Sequence, residues 1–383
     1  MKVLYIGHYK DGDTGWANAS KDTVLAMDAA GIDIVPRALK LNEAPINVPN
    51  RILELEEKSS VGCDICIQNV LPHHLDYNGR FKKNIAYCVY EMTGSNLSGW
   101  AAKINTMDEL WCPSSYSMMC FKTMGVTIPI KVVPYAFDMS KYKPQKKIDH
   151  VELDGNFVFY TIGDLTKRKD FLSLIKAFHL EFSPNEPVKL LIKTSKHGLG
   201  GQECAKAVID QCFQIKKEMK LYRRVEDYSS EIIVGDTVDD EGLMRIHSTG
   251  DCFVTTSHGE GWCIPLFDAI AMGKPAIYPK PPNNEDLLES ASMFDFATDV
   301  FSVDSKVEPV FGMSDTFFEL SSSRESWITV DIDELRHRMR SVYVRSTSND
   351  PWLSEKIQES KEKVDNYSYD KVGKLIKETL NDA

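Results

Sequence analysis

Short apolar runs alternate with longer stretches of helical period along most of the chain, and this rhythm restricts it to parallel sheets covered by crossover helices. The pattern opens with Lys2–Gly7 (KVLYIG) as a strand. A glycine-rich turn follows, then an amphipathic helix to about Ala30, with Gly31 as its stop and a further strand near IDIVPRA. CDICIQNV, KNIAYCVYE, ELWCPS and IKVVPYA continue the same rhythm, each short and closed by turn residues. The charged segment Asp138–Asn156 then interrupts it and reads as a linker. A second series runs from Phe157–Gly163 through VKLLIKTS, EIIVGD, DCFVTTS and PAIYP, with helices expected from about Asp170, near Lys206–Glu218 and near Asp240–His247. From Ala291 to Glu325 no period is sustained, so a long irregular segment is expected there. Two amphipathic stretches, DIDELRHRMRSVYVRS and SYDKVGKLIKETLNDA, close the chain as helices.

At 383 residues the chain exceeds what one core of roughly 100–200 residues organises. The expected architecture is therefore α/β, with two Rossmann-like doubly wound domains at 1–145 and 146–350. Helices in 351–383 are expected to pack back toward the first. A 43% hydrophobic and 26% charged composition is that of a chain folded in water, and no stretch approaches the ~20 apolar residues that span a bilayer. The N-terminus reads as a strand and not as a secretory signal, so a cytoplasmic location is expected. Nine cysteines without an even, close framework read as reduced thiols. Cys63 and Cys66 have C-x-x-C spacing but no second pair or nearby histidines, and read as strand residues. A formal net charge of −11 disfavours nucleic acid as a partner, because such binding draws chiefly on Lys and Arg. Any phosphate site must be local.

Three loops carry possible chemistry. In Ser257–Ile277 (SHGEGWCIPLFDAIAMGKPAI) a strand ends, a glycine-rich loop follows, Pro265 suits the first turn of a helix, and Gly273 suits its stop. Backbone N–H groups from Gly261 through Trp262 and Cys263 to Ile264 are placed there for a phosphate or a sugar hydroxyl. Asp268, one turn into that helix, leans back toward the loop that holds Glu260. The pair suits a diol; the plainer reading is a dipole-complementing aspartate and a solvated glutamate. In Thr161–Phe178, Lys167, Arg168 and Lys169 precede a helix capped by Asp170, where cations cost stability unless an anion is bound. A solvated basic turn is the alternative. After the first strand, DGDTGWANASK brings Gly15 and Trp16 near a phosphate position without the order of a dinucleotide or P-loop fingerprint. The Asp-x-Asp pairs at 11–13 and 331–333 read as a turn and a helix start, so no metal is expected at either.

On these residues the chain resembles family 4 of the retaining glycosyltransferases, whose architecture is GT-B. Glu260-Gly261-Trp262-Cys263 through Asp268 and on to Ala269–Pro275 is similar to its E-G-F-G-x-x-x-x-E…A-x-A-x-G-x-P signature. KRKDFLSLIKAF looks like its R-K-x-x-x-x-L-I-x-A-F element, and DELWCPS and VPYAFD look like elements that close the first domain. The resemblance implies a first domain for the acceptor and a second for a nucleotide-sugar donor. It implies that Glu260 contacts hexose hydroxyls, that Asp268 holds the ribose, and that Arg168 and Lys169 neutralise the diphosphate. Amides near Gly15 and from Trp262 to Ile264 would assist, with the base near Gly235–Val238. The implied reaction is transfer of a hexose with retention, from a UDP- or GDP-sugar to a glycan, lipid or protein acceptor, without a metal or other cofactor. A nucleotide-sugar epimerase or phosphorylase of the same fold, and a non-catalytic sugar-nucleotide-binding protein, are the rival readings.

Several positions depart from the family pattern, among them Tyr135-Ala136-Phe137 of VPYAFD, where Asn or His, Gly and Val are common. Asp268 is one methylene shorter than the usual Glu, so its ribose contact must come from a closer backbone or through water. Cys263 stands in place of a glycine, Asp164 in place of a frequent Arg, and Glu91 follows a strand where many members carry His. Glu91 is expected to polarise the acceptor, hold the donor sugar or cap a helix.

Overall fold

The computed structural model describes residues 1–12, 14–41, 48–196, 198–282, 292–314, 316 and 318–381. The first half contributes β1 (Lys2–Gly7), β2 (Asp33–Ala38), β3 (Ile65–Asn69), β4 (Lys83–Tyr87), β5 (Thr93–Gly94), β6 (Glu109–Cys112) and β7 (Ile130–Val132). Between them run α1 (Gly15–Ala29), α2 (Asn50–Glu56), α3 (Trp100–Ile104) and α4 (Ser115–Met124). The second half contributes β8 (Phe157–Asp164), β9 (Val188–Ser195), β10 (Glu231–Val234), β11 (Cys252–Val254), β12 (Ala276–Lys280), β13 (Ser302–Pro309) and β14 (Glu325–Val330). Its helices are α5 (Phe171–Glu181), α6 (Gly201–Met219), α7 (Asp240–Thr249), α8 (Ile264–Ala271) and α9 (Ile332–Thr347), followed by α10 (Pro351–Val364) and α11 (Tyr369–Asn381).

Six strands form a parallel sheet in the order β2-β1-β3-β4-β6-β7. Its inner strands β3 and β6 are buried at every residue, as strands covered on both faces must be. The other sheet has the order β10-β9-β8-β11-β12-β13-β14-β5 and is parallel from β10 to β13. Strands β14 and β5 extend it antiparallel. β5 belongs to the first half of the chain, so the two halves share a sheet edge.

Helix starts follow the capping residues. The Thr14 hydroxyl accepts from Ala17 N at 3.1 Å, Asp170 caps α5, Asp239 caps α7 and Asp331 caps α9. Asp331 is thus spent on the Glu334 amide, and Asp11 accepts from Leu41 N and sits beside His8, while Asp13 lies outside the described residues. The expected irregular stretch 291–325 contains β13, which corrects that reading. This strand pairs Tyr278 with Ser302 on one side and Lys306 with Thr329 on the other. Only its first two residues are buried, so its sequence lacks the apolar alternation that marks a half-buried strand.

The halves are joined by packing as well as by chain. Phe137 stacks on Phe267 with centroids 3.9 Å apart, and Trp262, Phe296 and Tyr367 complete an aromatic cluster drawn from both halves and the C-terminal segment. α11 then lies along α1 at backbone contact. A methyl on Gly373 would fall 2.2 Å from the Ala26 carbonyl oxygen, so only glycine permits that approach. Tyr369 donates to Asp22 at 2.5 Å, and Lys377 donates to the Ala30 carbonyl.

Candidate functional site

Strand order in the second sheet reverses between β8 and β11, the place where open α/β sheets leave a crevice beyond their carboxyl ends. The loop after β8 carries Lys167–Lys169, and the loop after β11 carries Ser257–Cys263. In the first sheet the reversal lies at β1 and β3, and the loop after β1 leads into α1 at Gly15. These loops face one another across a cavity of about 430 Å³. Its walls include Gly15, Trp16 and Glu91 from the first half, and Arg168, Lys169, Glu260, Gly261, Trp262, Cys263, Ile264 and Asp268 from the second. Glu260, Asp268, Arg168, Lys169, Glu91 and the loop segments Gly15–Trp16 and Gly261–Ile264 therefore meet in one place, while Lys167 lines a separate cavity.

Glu260 is not a solvated loop residue. It is 5% exposed, its Oε1 accepts from Lys169 Nζ at 2.5 Å, and its Oε2 lies 3.3 Å from Arg168 Nη1. Burial pushes its carboxyl up, but the charges of Lys169 and Arg168 outweigh that and hold its pKa down at about 2. The group is ionised at neutral pH, which makes it an acceptor of hydrogen bonds and not a proton donor. Arg168 also donates to the Gly259 carbonyl at 2.6 Å and lies 3.9 Å from Glu91. Burial works against its charge, and Glu260 and Glu91 reverse the effect and raise its pKa. The three basic residues form a short 3₁₀ turn, with Asp170 in the left-handed region at φ 47° capping the helix that follows.

The glycines on either side of Glu260 are dictated by the facing half. A methyl on Gly259 would fall 2.1 Å from the Glu91 carbonyl oxygen, and one on Gly261 1.8 Å from Val89 Cγ2. The loop therefore packs backbone against the segment that presents Glu91. Cys263, at the start of α8, holds φ 66°, ψ 72°, the conformation a glycine adopts freely. A side chain there costs about 1 kcal/mol or more of backbone strain. Burial raises its thiol pKa to about 12, so the thiol stays protonated.

Asp268 lies in α8, 4% exposed, with its Oδ1 accepting from the Tyr142 hydroxyl at 2.7 Å and 3.6 Å from Lys141 Nζ. Its Oδ2 faces His247 Nε2 at 3.9 Å. His247 is buried, bonded through Nδ1 to Tyr160, and burial lowers its pKa to about 4 even though Asp268 pulls the other way. It is neutral in neutral solution. Its Nε2 has no hydrogen-bond partner among the described residues, and the residue lines the cavity. Trp16 donates to Asn69 at 2.9 Å, which orients its ring beside His8. The ring of Trp262 belongs to the aromatic cluster, and its buried Nε1 has no hydrogen-bond partner among the described residues.

Residues 143–308 match the family model described as glycosyl transferases group 1. That stretch, which carries both Lys167–Lys169 and Ser257–Cys263, is the part of the chain similar to glycosyl transferases. The whole chain shares its fold with solved GT-B enzymes at low identity. Sucrose-phosphate synthase from Thermosynechococcus elongatus superposes with a TM-score of 0.61 at 11% identity, covering 100% of this chain and 98% of that one. A trehalose-6-phosphate synthase, OtsA, gives 0.63 at 9%, covering 100% and 99%. A glycosyltransferase from Rickettsia africae gives 0.60 at 10%, covering 100% and 98%. No curated protein sequence matches the chain.

Two residues that line the cavity, Lys193 and His247, and two that contact Asp268, Lys141 and Tyr142, escaped sequence reading. Lys193 lies in a strand that reads as ordinary β-structure, and His247 in a helix whose acidic start drew the attention. Lys141 and Tyr142 sit in the segment read as a linker, yet they hold Asp268. Only their tertiary neighbours distinguish these four, apart from the basic residue at the carboxyl end of a strand.

Proposed function

We propose that the glycosyltransferase moves a hexose from a nucleotide diphosphate sugar, UDP- or GDP-linked, to an acceptor hydroxyl with retention and without a metal. The observation that carries this reading is the meeting of the ionised Glu260 with Arg168 and Lys169 in a cavity closed by Gly15, Trp16 and Glu91. A carboxylate that only accepts hydrogen bonds suits the hydroxyls of a bound hexose. The two cations suit a diphosphate on which charge grows as the C1–O bond breaks. As the acceptor oxygen bonds to C1 from the same face, its proton passes to the departing phosphate oxygen. Glu260, held near a pKa of 2, takes no part as acid. The related E. coli trehalose-6-phosphate structure bound with UDP-2-fluoro glucose, with a TM-score of 0.64 at 11% identity over 99% of each chain, supports a UDP-sugar in the same fold.

Asp268 and His247, 3.9 Å apart, line the cavity together with Thr237 and Val238, and these residues suit the ribose and base. Asp268 meets the ribose through its remaining carboxylate oxygen once Tyr142 has taken the other. The acceptor is a glycan, lipid or protein hydroxyl presented beside Glu91. Thermal unfolding with UDP-, GDP- and ADP-sugars tests the donor. One of them raises the midpoint in proportion to its saturation, and no shift with any of them at millimolar concentration overturns the reading. NMR of the transfer product tests retention, since an α-donor must yield an α-product.

A further inference from the structure

We propose that Lys193 is a third cation of the donor site, binding the diphosphate together with Arg168 and Lys169. This rests on the donor reading above. Lys193 stands near the carboxyl end of β9, in register with Ile162 of β8, and both line the cavity beside Gly163. The stem of Lys169 crosses that same glycine, whose added methyl would lie 3.3 Å from Lys169 Cδ. Lys193 is 5% exposed and follows the fully buried run Leu190, Leu191 and Ile192. Its ammonium donates to one acceptor, the Thr194 carbonyl at 3.1 Å, and among the described residues it has no ion pair within 4.0 Å. An ammonium has three donors, and burying it with one neutral partner is costly. Burial accordingly lowers its pKa, opposed mainly by Asp164.

Charge balance favours an anion there. Arg168 and Lys169 face Glu260 and Glu91, so the four groups sum to zero before any donor arrives. The leaving nucleoside diphosphate gains a negative charge as the glycosidic bond breaks, and a cation without a carboxylate paired to it within 4.0 Å among the described residues is available to stabilise that charge. Asp164, at the end of β8, acts electrostatically on both Arg168 and Lys193. Where the family resemblance leads one to expect an arginine at position 164, the positive charge comes from the adjoining strand.

The test compares wild type with Lys193→Met, Lys193→Arg and Asp164→Asn by calorimetry with UDP, GDP, the matching nucleosides and inorganic pyrophosphate. Lys193→Met is expected to weaken nucleoside diphosphate and pyrophosphate binding tenfold or more and to leave nucleoside binding unchanged. Lys193→Arg retains most of the affinity, and Asp164→Asn increases it. A folded Lys193→Met that binds both anions within twofold of wild type overturns the proposal. If wild type binds no nucleoside diphosphate, the donor reading falls, and pyrophosphate alone decides Lys193. Failure of pyrophosphate to bind wild type at millimolar concentration also overturns it. Should Lys193→Met not fold, the opposite shifts of the other two variants carry the decision: unchanged affinity in Asp164→Asn counts against the third cation.

Discussion

Gly259→Ala probes the closed packing around Glu260 without removing any polar group. The added methyl would stand 2.1 Å from the Glu91 carbonyl oxygen, where real contacts stay beyond 3.0 Å. The loop and the facing segment must separate by about 0.9 Å, an overpacking that costs ~1–3 kcal/mol of stability. The displacement falls on the chemistry, because the Gly259 carbonyl accepts from Arg168 at 2.6 Å and Glu260 is the next residue. A misplacement of roughly 1 Å lowers turnover by as much as ~100-fold. The assay is kcat/KM for donor turnover, with thermal unfolding in parallel and Gly79→Ala as control, since a methyl at Gly79 meets nothing within 4 Å. Gly259→Ala is expected to lose ~30- to 100-fold in kcat/KM and a few degrees in midpoint. If it turns over within twofold of wild type at an unchanged midpoint, the packing of Gly259 on Glu91 is not the working arrangement.

Lys169→Ala should lose ~2–4 kcal/mol of transition-state stabilisation, measured as kcat/KM, and an unchanged value would remove it from the diphosphate site. Turnover should survive EDTA; complete loss restored by manganese would show that a metal takes part. Two titratable groups, one buried and one half-buried, set opposing pH dependences. The folded-state pKa of His247 is lowered to about 4 by burial, so the unfolded chain binds the extra proton between there and 6.5, and stability rises with pH through that window. Burial raises Asp22 to about 6, so the folded chain holds the proton above 3.8, and stability falls as pH rises to 6. Each contributes a slope of about 1.4 kcal/mol per pH unit, and they offset each other between pH 4 and 6. Urea unfolding across that range should therefore give a rising profile for Asp22→Asn and a falling one for His247→Gln. Profiles parallel to wild type would contradict the assignment.

The strand–loop–helix units were legible because their signals are local. Pro265 and Gly273 bracket α8, and Thr14, Asp170 and Asp331 stand where caps belong. Glu260, Arg168 and Lys169 follow strands, where ligand loops of this architecture emerge. The burial of Glu260 was not legible, because the Glu91 segment that covers it arrives from the other half of the chain. β5, two residues long, has no period to detect, and β13 exposes most of its length. Tyr142 and Lys141 lie in a stretch whose lysines and proline read as linker, and only the fold brings them to Asp268.

The seating of α11 on α1 has a consequence for synthesis. Lys377 caps the Ala30 carbonyl from 347 residues further along the chain. At ~5–20 residues per second, a ribosome needs roughly 20–70 s to cover that distance. Throughout that time α1 has been made, while the helix that covers Ala26 has not. α1 is thus covered only after the second half has emerged, and its apolar face must be kept from other partners until then.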